Sequence, residues 1–144
     1  MKTFVLAIAA ALVLGACATG PRLPDDQRTQ IYREAAGAPV GNFHYFGTLD
    51  GWKSISDTAL VVWVRARDGY LLTLSASCPQ LNFAHAISVD DRNGRVYVGD
   101  SVRVLGEGPT FPCQIAEIQP LDHDAARRAE AQADAAALQV SGGT

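Results

Sequence analysis

Three cysteines and three histidines hold most of the reactive side-chain chemistry available to this 144-residue chain. A metal site needs such groups at ligand spacing. His44, His85 and His123 lie far apart, and none is spaced for ligation with another histidine or with a Cys pair. Asp122-His123-Asp124 sets two carboxylates beside an imidazole, but it falls where a helix cap is expected. Asp90-Asp91-Arg92-Asn93-Gly94 looks superficially like a calcium loop. It lacks the alternating acidic ligands and the distal Glu, so it reads as a hairpin turn. No metal and no cofactor is expected. Nucleophilic catalysis needs Ser or Cys beside a base, and no Gly-x-Ser-x-Gly segment occurs. Cys78, His85 and an Asp make a triad only if the thiol is free. Gly106-Glu107-Gly108 runs into Pro109 rather than into a helix, so it is no phosphate loop. No catalytic residue is assigned; an enzymatic reading would have to use His85 or Asp100.

Cys17 has a different context. Lys2 supplies a positive start, Phe4 to Leu14 is an apolar run, and Gly15 and Ala16 are small. The run is too short to span a bilayer, which takes about 20 apolar residues. It has the length of a signal-peptide core. Leu14-Gly15-Ala16-Cys17 resembles the bacterial lipobox, although Gly15 is less usual than Ala or Ser at its position. That likeness implies cleavage before Cys17 and acylation of its thiol, the membrane anchor. An ordinary secreted protein with an incidental Cys is the plainer alternative. Each buried methylene contributes about 0.8 kcal/mol, and two or more chains hold stably. Ala18, in place of Asp, points by resemblance to the enteric sorting rule to the outer membrane, facing the periplasm.

With residues 1–16 removed as signal, 128 remain, enough for one domain. Without Lys2 the 12 basic residues become 11 against 15 acidic, a net charge of −4. Only Arg127-Arg128 clusters positive charge, so a nucleic-acid partner is excluded. If Cys17 carries lipid, Cys78 and Cys113 are an even pair in a compartment that favours disulfides. Closing that loop stabilises a fold by about 4 kcal/mol. A reactive thiol at Cys78 or Cys113 is the alternative.

The elements that would position these groups are mostly strands. Residues 17–24 read as a lipidated tether, small and proline-containing. Residues 25–37 read as a short helix, acidic at its start and stopped by Gly37 and Pro39. Three Asp-Gly or Asn-Gly pairs follow, at 50–51, 68–69 and 93–94, each a hairpin-turn signal. Asp68-Gly69 separates the runs 59–65 and 70–75; Asn93-Gly94 joins 86–89 to 95–98. Further runs at 41–46, 52–56, 101–105 and 114–118 bring the total to about seven or eight short strands. This is a mainly β pattern, a small antiparallel barrel or sandwich over residues 40–122. Trp52, Trp63, Tyr70 and Tyr97 are the candidate ligand groove; the competing reading makes them core or cross-strand partners. Residues 123–144 are Ala-rich, helical or disordered. Alanine favours helix, but the segment has few large apolar residues, so it is expected to lie exposed, with 141–144 disordered.

Tyr70-Leu71-Leu72-Thr73-Leu74, Cys78-Pro79, Gly99-Asp100-Ser101-Val102 and Cys113-Gln114-Ile115-Ala116-Glu117-Ile118 together resemble a family of small proteobacterial lipoproteins, the domain-of-unknown-function family 6491. The likeness covers roughly residues 40–122. It supports export, the Cys78–Cys113 link and a compact β domain, and it transfers no activity. Within it, Asp100 reads as the fixer of a turn. The expected function is a lipid-anchored, non-enzymatic module that binds an envelope protein or cell-wall component, or stabilises an envelope assembly. The alternatives are an inhibitor of a cell-wall-degrading enzyme, acting through loop 106–112, and a small periplasmic enzyme.

Overall fold

A computed structural model describes residues 21–142. The signal segment 1–16, Cys17 and residues 18–20 of the tether lie outside these residues. Helix α1 spans Asp25–Ala35. Eight strands follow: β1 Asn42–His44, β2 Gly51–Ser56, β3 Ala59–Trp63, β4 Asp68–Leu74, β5 Ala86–Val89, β6 Arg95–Tyr97, β7 Ser101–Leu105 and β8 Pro112–Asp122. A 3-10 turn at Leu81–Phe83 precedes β5, and helix α2 spans His123–Ser141. Six strands form one antiparallel sheet in the order β2-β3-β4-β8-β7-β5, curled into a half-barrel. Strands β1 and β6 form a separate antiparallel ribbon.

The sheet is apolar on both faces, and two sets of partners cover it. The concave face gathers Leu60, Val62, Leu72, Ile115 and Ile118, closed by Phe43 and Val96 of the ribbon. The convex face presents Ile55, Ala59, Val61, Leu71 and Leu121 to Tyr32 of α1 and to Ala125, Ala126 and Ala129 of α2. Strand β3 is therefore buried on both sides, which is why Ala59–Val62 is an unbroken apolar run rather than an alternating one.

Helix α2 does not lie exposed. Ala125, Ala129, Ala133 and Ala137 recur every four residues and form its buried stripe. Leu23 and Ile31 pack against the far end of that stripe. A methyl group adds little hydrophobicity, but its small size lets the helix settle closely on α1 and the sheet. Asp122 caps the helix, its Oδ1 accepting from Ala125 N at 2.8 Å. Ser141 ends the helix; residues 143–144 are outside the described range.

The three Gly-containing turn signals behave differently from expectation. Only Asn93-Gly94 is a tight turn, with positive φ at both residues and a bridge between Arg92 and Arg95. It does not build the expected hairpin, because β5 pairs with β7 and β6 pairs with β1. The β3–β4 reversal is centred on Ala66-Arg67, two residues earlier than Asp68-Gly69, and is closed by Asp68 N donating to Arg65 O at 3.3 Å. Gly69 itself is a strand residue paired with Trp63. A Cβ there would fall 2.5 Å from Trp63 Cε3 and 2.7 Å from the Leu121 carbonyl oxygen. Glycine is required at 69 because the indole lies across its backbone. Gly51 likewise opens β2 opposite Trp63, and the β2–β3 hairpin turns at Asp57-Thr58.

A bulge in β2 sets the faces. The pair Ser56↔Ala59 fixes a register that, continued, would place Trp52 opposite Trp63. The ladder shifts by one residue between Ser54 and Ser56, so Trp52 faces Val62 instead. A bulge leaves backbone groups unpaired. Here Ile55 O accepts from Arg28 Nη1 at 2.8 Å, and Ser56 Oγ accepts from Thr29 Oγ1 at 2.8 Å. Helix α1 thus holds the bulge in place.

Candidate functional site

A cleft lined by several polar side chains lies between α2 and the convex face of the sheet. Lys53 on β2 and Trp63 at the end of β3 point to this face, and Tyr32 reaches it from α1. Helix α2 contributes His123, Arg127 and Glu130, spaced four and then three residues apart on one helical face. Val61 and Ala126 complete the lining around a volume of about 160 Å³. The Trp63 indole is pinned on one side by Gly69 and met on the other by His123, whose ring centroid is 5.7 Å away and tilted. Lys53 Nζ donates to Glu130 Oε1, tying strand to helix across the cleft. Tyr32 is 2 % exposed. Burial pushes its hydroxyl up to about 12, and the negative charge of Glu130 adds to the rise.

Trp63 is the one member of the expected aromatic groove that lines this cleft. Tyr70 lies on the concave side, stacked on Phe43 with centroids 4.5 Å apart. Trp52 packs against the same concave core. Tyr97 belongs to the ribbon, under the Arg92 guanidinium at 4.7 Å. The groove of four aromatics is therefore not assembled; the β2 bulge sends Trp52 and Trp63 to opposite faces.

Cys78 and Cys113 form a disulfide, with Cα atoms 5.6 Å apart across a separation of 35 residues. It joins the segment before the 3-10 turn to the start of β8. The preceding loop, 106–112, is exposed throughout, and Phe111, directly before β8, is 62 % exposed. His85 and Asp100 are not brought together. His85 adjoins Ala86, which pairs with Leu105 at one end of β7, whereas Asp100 precedes Ser101 at the other. At about 3.3 Å per residue the strand keeps them more than about 13 Å apart. Asp100 does fix a turn: Oδ2 accepts from Tyr97 N at 2.7 Å, and Oδ1 pairs with Arg92 Nε at 3.0 Å. His44 Nε2 lies 2.7 Å from Arg95 Nη2. Among the described residues no three His, Cys, Asp or Glu side chains gather as a metal site. No described helix is long and apolar enough to cross a membrane.

Sequence reading missed most of this cleft. Tyr32, Lys53, Arg127 and Glu130 come from three separate elements and share no motif. The one available signal was the i, i+4, i+7 spacing of His123, Arg127 and Glu130.

Neither a curated protein nor a solved structure shows a match to this chain. The model of one family, described only as a family of unknown function (DUF6491), matches residues 1–137, and the chain belongs to that family.

Proposed function

We propose that this chain is an exported, lipid-anchored domain of the bacterial envelope that acts by binding rather than by catalysis. The observation that carries the reading is the division of its cysteines. Cys78 and Cys113 are joined, which leaves Cys17 outside the bridge, directly after Leu14-Gly15-Ala16. A disulfide suits an oxidising compartment, and a thiol at that point of a signal segment suits acylation. Ala18 favours the outer membrane, with the domain facing the periplasm. The separation of His85 from Asp100 and the structural use of Asp100 favour binding over catalysis. The partner is an envelope protein or cell-wall component. Labelled palmitate tests the anchor: incorporation into the wild-type chain that vanishes in Cys17→Ser is expected. Absence of label from the wild type, or equal label in the variant, overturns it.

Loop 106–112 favours a second reading, an inhibitor of a cell-wall-degrading enzyme. Its exposed Phe111, two residues from the disulfide, offers an apolar side chain for insertion, held from one side. Slowing of a lysozyme by the exported protein, lost in Phe111→Ala, is the expected result; a protein without effect removes this reading.

A further inference from the structure

We propose that the cleft between α2 and the sheet binds a small organic carboxylate carried on a single six-membered ring. The proposal gives the binding reading a site and a ligand class; it rests on the domain being a binder and not on the lipid anchor.

Size sets the first limit. A cavity of about 160 Å³ matches the roughly 150 Å³ that holds one benzene ring. Shape sets the next. The Trp63 indole lies against the backbone of Gly69 and offers a flat apolar wall. Flat ring faces, whether aromatic or the C–H face of a sugar, pack on such a wall.

Polarity decides the ligand's charge. Tyr32 lines the cleft, and its hydroxyl makes no hydrogen bond to another described residue. A hydroxyl that opens on a cleft without a protein acceptor is free to donate to one from outside. The cleft is where Tyr32 meets solvent. Arg127 lines the same cleft and is in no ion pair among the described residues. Of the nearby carboxylates, Glu130 is held by Lys53 and Asp124 by Arg67 at 3.6 Å, while Asp134 is near enough to Tyr32 to add to the rise of its hydroxyl. Asp50 sits farther round, on the other side of Trp63 and His123. A donor without an acceptor and a cation without a counter-ion thus share one ring-sized space. A carboxylate answers both, accepting from Tyr32 and forming a two-point contact with Arg127.

The shared chemistry has two sources, an aromatic acid or a carboxylated sugar, and benzoate and glucuronate serve as their probes. The full exported chain and its Cys17→Ser variant are titrated with each, following the indole N–H resonance of Trp63, assigned by Trp63→Phe. A saturable shift of Trp63 with at least one acid is expected, while Trp52 stays unmoved. Benzyl alcohol, the uncharged ring, should bind about tenfold more weakly, and Arg127→Gln should weaken the acid about tenfold. Tyr32→Phe should weaken it a few-fold. Response to benzoate alone marks an aromatic acid, and to glucuronate alone a sugar acid. No saturable shift with either, or equal affinity for benzyl alcohol or in Arg127→Gln, overturns the proposal. Titration in the Cys17→Ser chain separates the two readings: binding there survives a failed anchor, and lost binding in a lipidated chain removes only the cleft.

Discussion

Gly69→Ala is the smallest change that probes how the convex face is built. The new methyl group would meet two obstacles of different stiffness: the Trp63 ring, with Cε3 at 2.5 Å, and the Leu121 carbonyl oxygen at 2.7 Å. The indole can swing away, at the cost of its contact with His123. The carbonyl cannot, because Leu121 is paired with Gly69 itself in the β4–β8 ladder. Overpacking of this kind costs about 1–3 kcal/mol, and two simultaneous contacts place this site in the upper half, at about 2–3 kcal/mol. In a Trp63→Ala background only the carbonyl contact remains, so the same substitution should cost about half as much. The difference is a coupling energy of about 1 kcal/mol, measurable by urea unfolding of the four proteins with the disulfide intact. An alanine at an unobstructed strand position would instead gain stability by restricting the unfolded chain. A neutral or stabilising Gly69→Ala, or an equal cost in both backgrounds, would refute the placement of the indole.

Further perturbations test the other supports of the fold. Ala129 is 1 % exposed in the stripe between α2 and the sheet; Ala129→Leu should cost about 1–3 kcal/mol, whereas Leu at exposed Ala135 should leave the unfolding midpoint unchanged. Replacing both Cys78 and Cys113 by Ala should lower stability by about 4 kcal/mol, read as a shift in the urea midpoint. The Tyr32 hydroxyl ionises near 12 in the folded protein and near 10 when unfolded. Its folded value is raised, so its stabilising contribution is complete below pH 10 and is lost as pH rises from 10 to 12. That loss amounts to about 2 kcal/mol, and Tyr32→Phe should flatten this limb of the stability profile.

Strand positions were legible because their cues are local. Alternation at Ser101–Leu105 and the apolar runs at 59–63 and 86–89 survive as β7, β3 and β5. Strand order was not legible, since pairing β5 with β7 and β1 with β6 depends on contacts far apart in sequence. The faces of Trp52 and Trp63 turned on a one-residue bulge, and a slip of one residue sends a side chain to the other side of a sheet. Nothing local to Gly51–Ser56 announces that bulge; its carbonyl is satisfied by Arg28, from another element. Helix α2 was legible as helix but not as a packed one, because hydrophobicity weighs alanine lightly while close approach needs its smallness. The glycine at 69 was visible, yet its reason was a neighbouring indole rather than a turn. The disulfide was legible only once Cys17 was set aside for lipid, which leaves Cys78 and Cys113 as a pair. The cleft required the tertiary meeting of α1, β2, β3 and α2, and the spacing of His123, Arg127 and Glu130 marks only its α2 side.

The account turns on which sulfur carries the lipid and which two are bonded. Intact-mass analysis of the exported protein, with and without reduction before alkylation, reads both at once. The account predicts a chain beginning at an acylated Cys17 that takes up no alkylating groups until reduced and then takes up two. A chain that begins elsewhere, carries no acyl mass, or is alkylated without reduction would contradict it.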